Sequence, residues 1–166
     1  DARLIFLVRD GNDNLLSIKH WSERKGRKVD ENLENWWGVN NRKWNMIVDQ
    51  LVNKKSEWDL IKSHVKRYAN HLDMATVEWI VAMRAGLKAE QEYPKAVKRI
   101  HYEDLVINPE NTLNQINEFI ELPYSQTMNE YAKSVLGDIP QKKEPQIDTK
   151  LEPLFYETMK RLEYKL

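Results

Sequence analysis

The stretch from Leu4 to Ser17 constrains the fold of this chain more than any other segment. A continuous apolar run, Leu4 to Val8, ends at Arg9, and a turn around Gly11 leads into a helical pattern that carries Ser17. An uninterrupted apolar strand is typical of a sheet that is covered on both faces. The carboxyl ends of such strands are where open α/β sheets bind ligands. We therefore expect an α/β fold with a ligand-binding edge at Arg9.

Arg9 has the chemistry of an anion-binding residue at this edge. Its planar guanidinium suits a phosphate or a carboxylate, and the Ser17 hydroxyl can add a further donor. Many α/β proteins have a similar strand-to-helix turn without a ligand, so the spacing alone leaves both a phosphate site and a structural turn open.

A second segment has an ordered pattern of its own. Residues 97–101 alternate as a short strand does, and residues 102–105 read Tyr-Glu-Asp-Leu. Asn108 and Pro109 suit the cap and the first position of a helix that ends before Pro123.

The segment from Arg9 to Ser17 resembles the 3′-phosphate-binding segment of the PAPS-dependent sulfotransferases. That family has Arg, then Asp or Asn, a small residue or Pro, a variable residue, Asp, three variable residues and Ser. Arg9 and Ser17 have this spacing, and Gly11 stands where Pro is common.

The second segment resembles the same family. Sulfotransferases have a strand, Tyr-Glu-Asp-Leu, Asn-Pro-Glu and a helix ending in Phe-Leu-Gly-Leu-Pro, and residues 97–123 follow this order with Glu121 in place of Gly. Residues 162–164, Leu-Glu-Tyr, resemble the Leu-Gly-Tyr ending of bacterial-type members. Two ordered motifs about ninety residues apart are more specific than either alone.

The resemblance implies a P-loop-NTPase-like α/β fold, whose part in this chain is mostly helical with two short parallel strands. It implies transfer of a sulfuryl group from PAPS to a hydroxyl or amine acceptor, with PAP as product. Arg9 and Ser17 would bind the 3′-phosphate, and Tyr102 matches a position that contacts adenine, although a buried structural tyrosine is the alternative. Lys142 and Lys143 lie where cytosolic members place an Arg-Lys-Gly segment, and they fit either a nucleotide contact or a solvated loop.

The family's 5′-phosphosulfate loop and its catalytic strand have no counterpart in this sequence. We therefore expect residues 1–166 to be the C-terminal part of a single sulfotransferase domain, inactive alone, with the catalytic residues unknown and supplied by a missing N-terminal part or another chain. The alternative is a non-enzymatic binding or interaction domain derived from a sulfotransferase.

Composition excludes several classes of partner. The 26 basic and 26 acidic residues balance, which argues against general binding to nucleic acid or to a membrane surface. There is no cysteine, and the four histidines lack metal-ligand spacing, so we expect no metal site. No apolar window is long enough for a transmembrane helix, and together with the absence of cysteine this favours a cytoplasmic protein.

Helical spacing predicts the central elements. One apolar stripe runs from Trp44 to Leu51, a second consists of Trp58, Ile61, Val65 and Tyr68, and Asp73 suits the N-cap of a longer helix. Trp36, Trp37 and Trp44 fit either core packing or an acceptor pocket.

Overall fold

The structure, a computed structural model, describes residues 2–23, 34–137 and 144–165. It is mostly helical and has two short parallel strands, which confirms this part of the predicted fold. The strands are β1 (Leu4–Val8) and β2 (Val97–His101), and the helices are α1 (Gly11–Glu23), α2 (Glu34–Trp37), α3 (Arg42–Met46), α4 (Lys62–Val65), α5 (His71–Glu92), α6 (Tyr102–Ile107), α7 (Pro109–Ile120), α8 (Gln126–Val135) and α9 (Glu152–Arg161).

The chain divides into two compact units. The first unit consists of residues 1–9 and 85–142, and the second consists of residues 10–84 and 143–166. Helix α5 contributes its residues up to Arg84 to the second unit and the rest to the first.

The parallel pair of strands organises the first unit. Leu4 pairs with Val97 and Val8 with His101, in an unbroken register. The pair extends backwards by one further bond, because the Leu4 N–H donates to the Ala96 carbonyl at 2.8 Å. Since the strands are parallel, both carboxyl ends lie at the same edge.

Helix α7 has the capping residues that its sequence predicts. The Asn108 side chain accepts a hydrogen bond from the Asn111 N–H at 3.3 Å, and Pro109 occupies the first turn. At the other end, the Arg3 guanidinium donates to the Phe119 carbonyl and pairs with the Glu121 carboxylate. Arg3 therefore satisfies a carbonyl that the end of a helix leaves without an intrahelical partner.

Gly86 allows β1 to approach helix α5 closely. A Cβ atom at Gly86 would overlap the ring carbons Cε2 and Cζ of Phe6, whose side chain is buried. Glycine weakens a helix interior, but here it makes room for the aromatic ring, and α5 continues without a break to Glu92.

The second unit is built around the buried guanidinium of Arg84. This side chain is 7% exposed and donates to the Thr158 hydroxyl at 3.0 Å and the Glu157 carboxylate at 2.9 Å. Its guanidinium also lies 5.3 Å from the Trp58 ring centroid and 3.6 Å from Glu57. One residue of α5 thus ties α9 to the segment that precedes α4, with the charge paired as burial requires.

Two sequence predictions in the second unit are corrected. Asp73 is not the N-cap of α5, because Asn70 Oδ1 accepts the Leu72 N–H at 2.9 Å and the helix begins earlier; Asp73 instead accepts the Asp148 N–H at 2.9 Å. The stripe from Trp58 to Tyr68 is not one helix, since a 3₁₀ turn, Ser56–Trp58, precedes the short helix α4. The predicted burial of its first three members is nevertheless correct, because Trp58, Ile61 and Val65 are at most 1% exposed.

The Gly86–Phe6 contact predicts that alanine at position 86 destabilises the protein, which is the opposite of its usual effect in a helix. Alanine normally stabilises a helix interior by about 1 kcal/mol relative to glycine. We expect Gly86→Ala to lower the free energy of unfolding instead, by about 1–2 kcal/mol, because overpacking the Phe6 ring costs more than the propensity gain. Urea denaturation measures this, and in a Phe6→Leu background the same change should become neutral or stabilising. A stabilising Gly86→Ala in the wild-type background would show that the ring does not need the space.

Candidate functional site

Arg9 and Tyr102 meet at the carboxyl edge of the two strands. Each is the first residue after its strand, and the register that pairs Val8 with His101 brings the two side by side. The Arg9 guanidinium carbon lies 4.8 Å from the Tyr102 ring centroid, a cation–π contact between two half-buried side chains. Two residues chosen from motifs about ninety residues apart are therefore neighbours in one site.

The charge on Arg9 has no acidic partner in the part of the chain that the structure describes. Its Nε atom is buried and finds no hydrogen-bond acceptor among those residues. Partial burial of a guanidinium without a counter-ion is costly, and a bound anion relieves that cost through charge-assisted hydrogen bonds. The electrostatics at this edge therefore favour an anionic ligand.

The structure does not test the roles of the other predicted site residues. Ser17 is half-buried in α1 and belongs to the second unit, so its role with Arg9 stays a prediction. Lys142 and Lys143 lie outside the described residues.

Sequence reasoning missed how deeply two acidic residues at the start of α1 are buried. Asp10 is 1% exposed and Asp13 is 4% exposed. Asp10 Oδ1 accepts the Asn12 N–H at 2.9 Å, which makes Asp10 the N-cap of the helix, and Asp13 carries its charge in the first turn. An aspartate just before a helical pattern is a standard N-cap signal, so the sequence did contain this information.

The tryptophan-rich segment divides between core and surface. Trp37 and Trp44 are 1% and 4% exposed, which confirms core packing for these two rings. Trp36 is half-buried, and its Nε1 lies 3.5 Å from the Glu78 carboxylate. Lys43 Nζ lies 5.4 Å from the Trp36 ring centroid and forms an ion pair with Glu78 at 2.5 Å.

His71 links this aromatic cluster to α5. The Trp37 indole N–H donates to His71 Nδ1 at 3.1 Å, so the neutral ring carries its proton on Nε2. Burial lowers the pKa of His71 below its ordinary value of 6.5; the Glu78 carboxylate opposes this shift and the Lys43 ammonium adds to it. The hydrogen bond and the shifted pKa both favour neutral His71.

Comparison with models of known protein families gives one match. The model of the sulfotransferase family matches residues 50–126, a span that includes β2 and Tyr102 but not Arg9 or Ser17. This match confirms the resemblance to sulfotransferases, and it supports sulfuryl transfer as the general activity. Neither the curated proteins nor the solved structures contain a match to the chain.

Two absences concern only the residues that the structure describes. Within them, no helix combines the length and the apolar character needed to cross a membrane. Within the same residues, no group of three or more histidine, cysteine, aspartate or glutamate side chains could hold a metal ion.

The His71–Trp37 hydrogen bond predicts an acid-sensitive stability. Because the folded pKa is lowered, the unfolded chain takes up the proton more readily. The free energy of unfolding should therefore be highest above pH 6.5 and fall as the pH decreases through 6.5 and on to the folded pKa. Urea titrations from pH 8 to pH 5 measure this.

His71→Gln is the matched variant, because its side-chain carbonyl can accept the Trp37 N–H but does not titrate. It should remove this component of the pH dependence, while the remaining histidines contribute equally to both proteins. Identical pH profiles for the two proteins would contradict the assignment to His71.

Proposed function

We propose that this chain supplies the 3′-phosphate and adenine side of the donor site in a PAPS-dependent sulfotransferase. The proposed fold is the P-loop-NTPase-like fold of that family. The acceptor would be a small molecule or biopolymer with a hydroxyl or an amine. This proposal adds the donor and the binding residues to the general activity that the family match supports.

The observation that carries the proposal is the pairing of Arg9 with Tyr102. A guanidinium with no acidic partner among the described residues lies 4.8 Å from an aromatic ring, at the carboxyl edge of parallel strands. A 3′-phosphorylated adenine nucleotide offers the complementary groups, an anion for the guanidinium and a flat base for the ring. The specific feature that such a phosphate fits is the buried Nε of Arg9, which has no acceptor in the described ranges of the chain.

The roles of these residues are to bind and orient the donor. PAPS carries the sulfuryl group that is transferred, and Arg9 would hold the phosphate that distinguishes PAPS from ATP. Holding the donor in one orientation lowers the entropic part of the barrier to transfer. Ser17 would add a hydroxyl donor to the same phosphate, a role that rests on the resemblance alone. No residue of this chain is assigned as the base that deprotonates the acceptor.

Arg9→Ala tests the phosphate assignment. We expect PAP binding to weaken by roughly 1.5–3 kcal/mol, because a charge-assisted bidentate contact is lost. Isothermal titration calorimetry measures the affinity, and circular dichroism checks that the fold is retained. Ser17→Ala should weaken binding in the same direction by less.

Arg67→Ala is a suitable control, because it removes an equal charge from an exposed position in the second unit. It should leave PAP affinity nearly unchanged. Equal affinities for wild type and Arg9→Ala would overturn the assignment of Arg9.

Substitutions at Tyr102 separate stacking from proton transfer. Tyr102→Phe keeps the ring, so it should preserve nucleotide affinity and, in an active enzyme, most of the turnover. Tyr102→Ala removes the ring and should raise the KM for PAPS, since base–aromatic stacking is worth roughly 1–3 kcal/mol. Loss of kcat in Tyr102→Phe with normal PAP binding would instead make Tyr102 a catalytic residue.

A further inference from the structure

A cavity of about 350 Å³ lies in the first unit, between β2 and the helices α6 and α7. It does not include Arg9 or Tyr102, so the proposed donor site leaves it unused. Its volume falls within the range typical of ligand-binding clefts. We call it the amide cleft, and its polar lining comes from Arg99, His101, Asp104, Asn108, Asn111 and Gln115.

The amide side chains of the amide cleft lie along one face of α7. Asn108, Asn111, Thr112 and Gln115 follow the spacing i, i+3, i+4 and i+7, which places them in one stripe. The Thr112 hydroxyl is already satisfied, because it lies 3.0 Å from the carbonyls of Asp104 and Asn108. The side-chain amides of Asn111 and Gln115 have no hydrogen-bond partner among the residues that the structure describes.

The chemistry of these two side chains matches that of a peptide group. A carboxamide presents an N–H donor and a carbonyl acceptor side by side, so it can form two hydrogen bonds with the N–H and C=O of one residue of an extended chain, which point to the same side. Four residues of helix separate Asn111 from Gln115, a rise of about 6 Å. Two residues of an extended chain span about 6.6 Å. The two carboxamides are therefore spaced to contact alternate residues along one edge of an extended strand.

The charges in the cleft favour a neutral ligand over an anion. Arg99 Nε lies 3.4 Å from the Glu90 carboxylate, so its charge is compensated within the unit. Asp104 adds an exposed carboxylate to the lining. A phosphate or sulfate would meet this acidic group, whereas an uncharged main chain would not.

We propose that the amide cleft binds a polypeptide segment in an extended conformation and recognises its main chain rather than its side chains. From Asn108 to Gln115 the cleft follows about 10 Å of helix, the length of roughly three extended residues. The site would let the protein hold a peptide partner independently of the donor nucleotide.

Fluorescence anisotropy with the full chain tests the proposal. The probe is a capped, fluorescein-labelled peptide of alternating threonine and valine, and its counterpart carries an N-methyl group at every residue, so that neither edge of the chain offers N–H donors. We expect saturable binding of the first peptide, little change when the salt concentration is raised, and no binding of the methylated peptide, which lacks the required N–H donors. Asn111→Ala combined with Gln115→Ala should weaken binding at least about tenfold.

Asn114→Ala is the matched control, because it removes the same group from the same helix outside the cleft. It should bind the peptide as the wild type does, and thermal melts check that both variants fold. The proposal is overturned if the peptide does not bind at millimolar concentration, if the methylated peptide binds equally well, or if the double variant binds normally. If a neutral oligosaccharide binds while the peptide does not, the cleft is a site for a small polyhydroxylated ligand, and the proposal is also overturned.

Discussion

The parallel pairing of β1 with β2 is the interaction on which the candidate site depends. Arg9 and Tyr102 are about ninety residues apart in sequence, and only the register that pairs Val8 with His101 brings them together. Parallel strands require a crossover, which here passes through the second unit and returns along α5. Gly86 then lets the Phe6 ring of β1 pack against that helix. The strand pair therefore places Arg9 beside Tyr102, and the Phe6–Gly86 contact packs β1 of that pair against α5.

The sequence predicts the two strands that form this edge because each strand is indicated by a local pattern. An apolar run that ends at Arg9 and a short alternating run before Tyr102 each indicate a strand, and the structure contains both strands in parallel. The cation–π contact of Arg9 and its lack of an acidic partner within residues 2–23, 34–137 and 144–165 could not be predicted, since they depend on which side chains the fold brings near. The same holds for the stripe from Trp58 to Tyr68, where spacing identified the buried face but tertiary packing set the backbone.

The structure explains two positions at which the sequence departs from the sulfotransferase pattern. Glu121 and Glu163 stand where the resembling motifs have glycine, and both adopt left-handed backbone angles, with φ of 60° and 69°. Glycine is the residue that adopts this conformation without strain, and it commonly follows the end of a helix. Each of these glutamates follows the end of a helix, α7 and α9 respectively, so the turn that glycine favours is retained here with a different residue. Position-specific backbone geometry thus supports the motif comparison independently of residue identity.

The central claim is that Arg9 and Tyr102 recognise an adenine nucleotide through its 3′-phosphate. The most direct measurement compares two ligands on the unmodified protein by isothermal titration calorimetry: PAP, and adenosine 5′-monophosphate, which lacks only that phosphate. The account predicts that PAP binds at least about tenfold more tightly, a difference of about 1.4 kcal/mol, because only PAP carries the 3′-phosphate that Arg9 would bind. Equal affinity for the two nucleotides, or no binding of either, would contradict it.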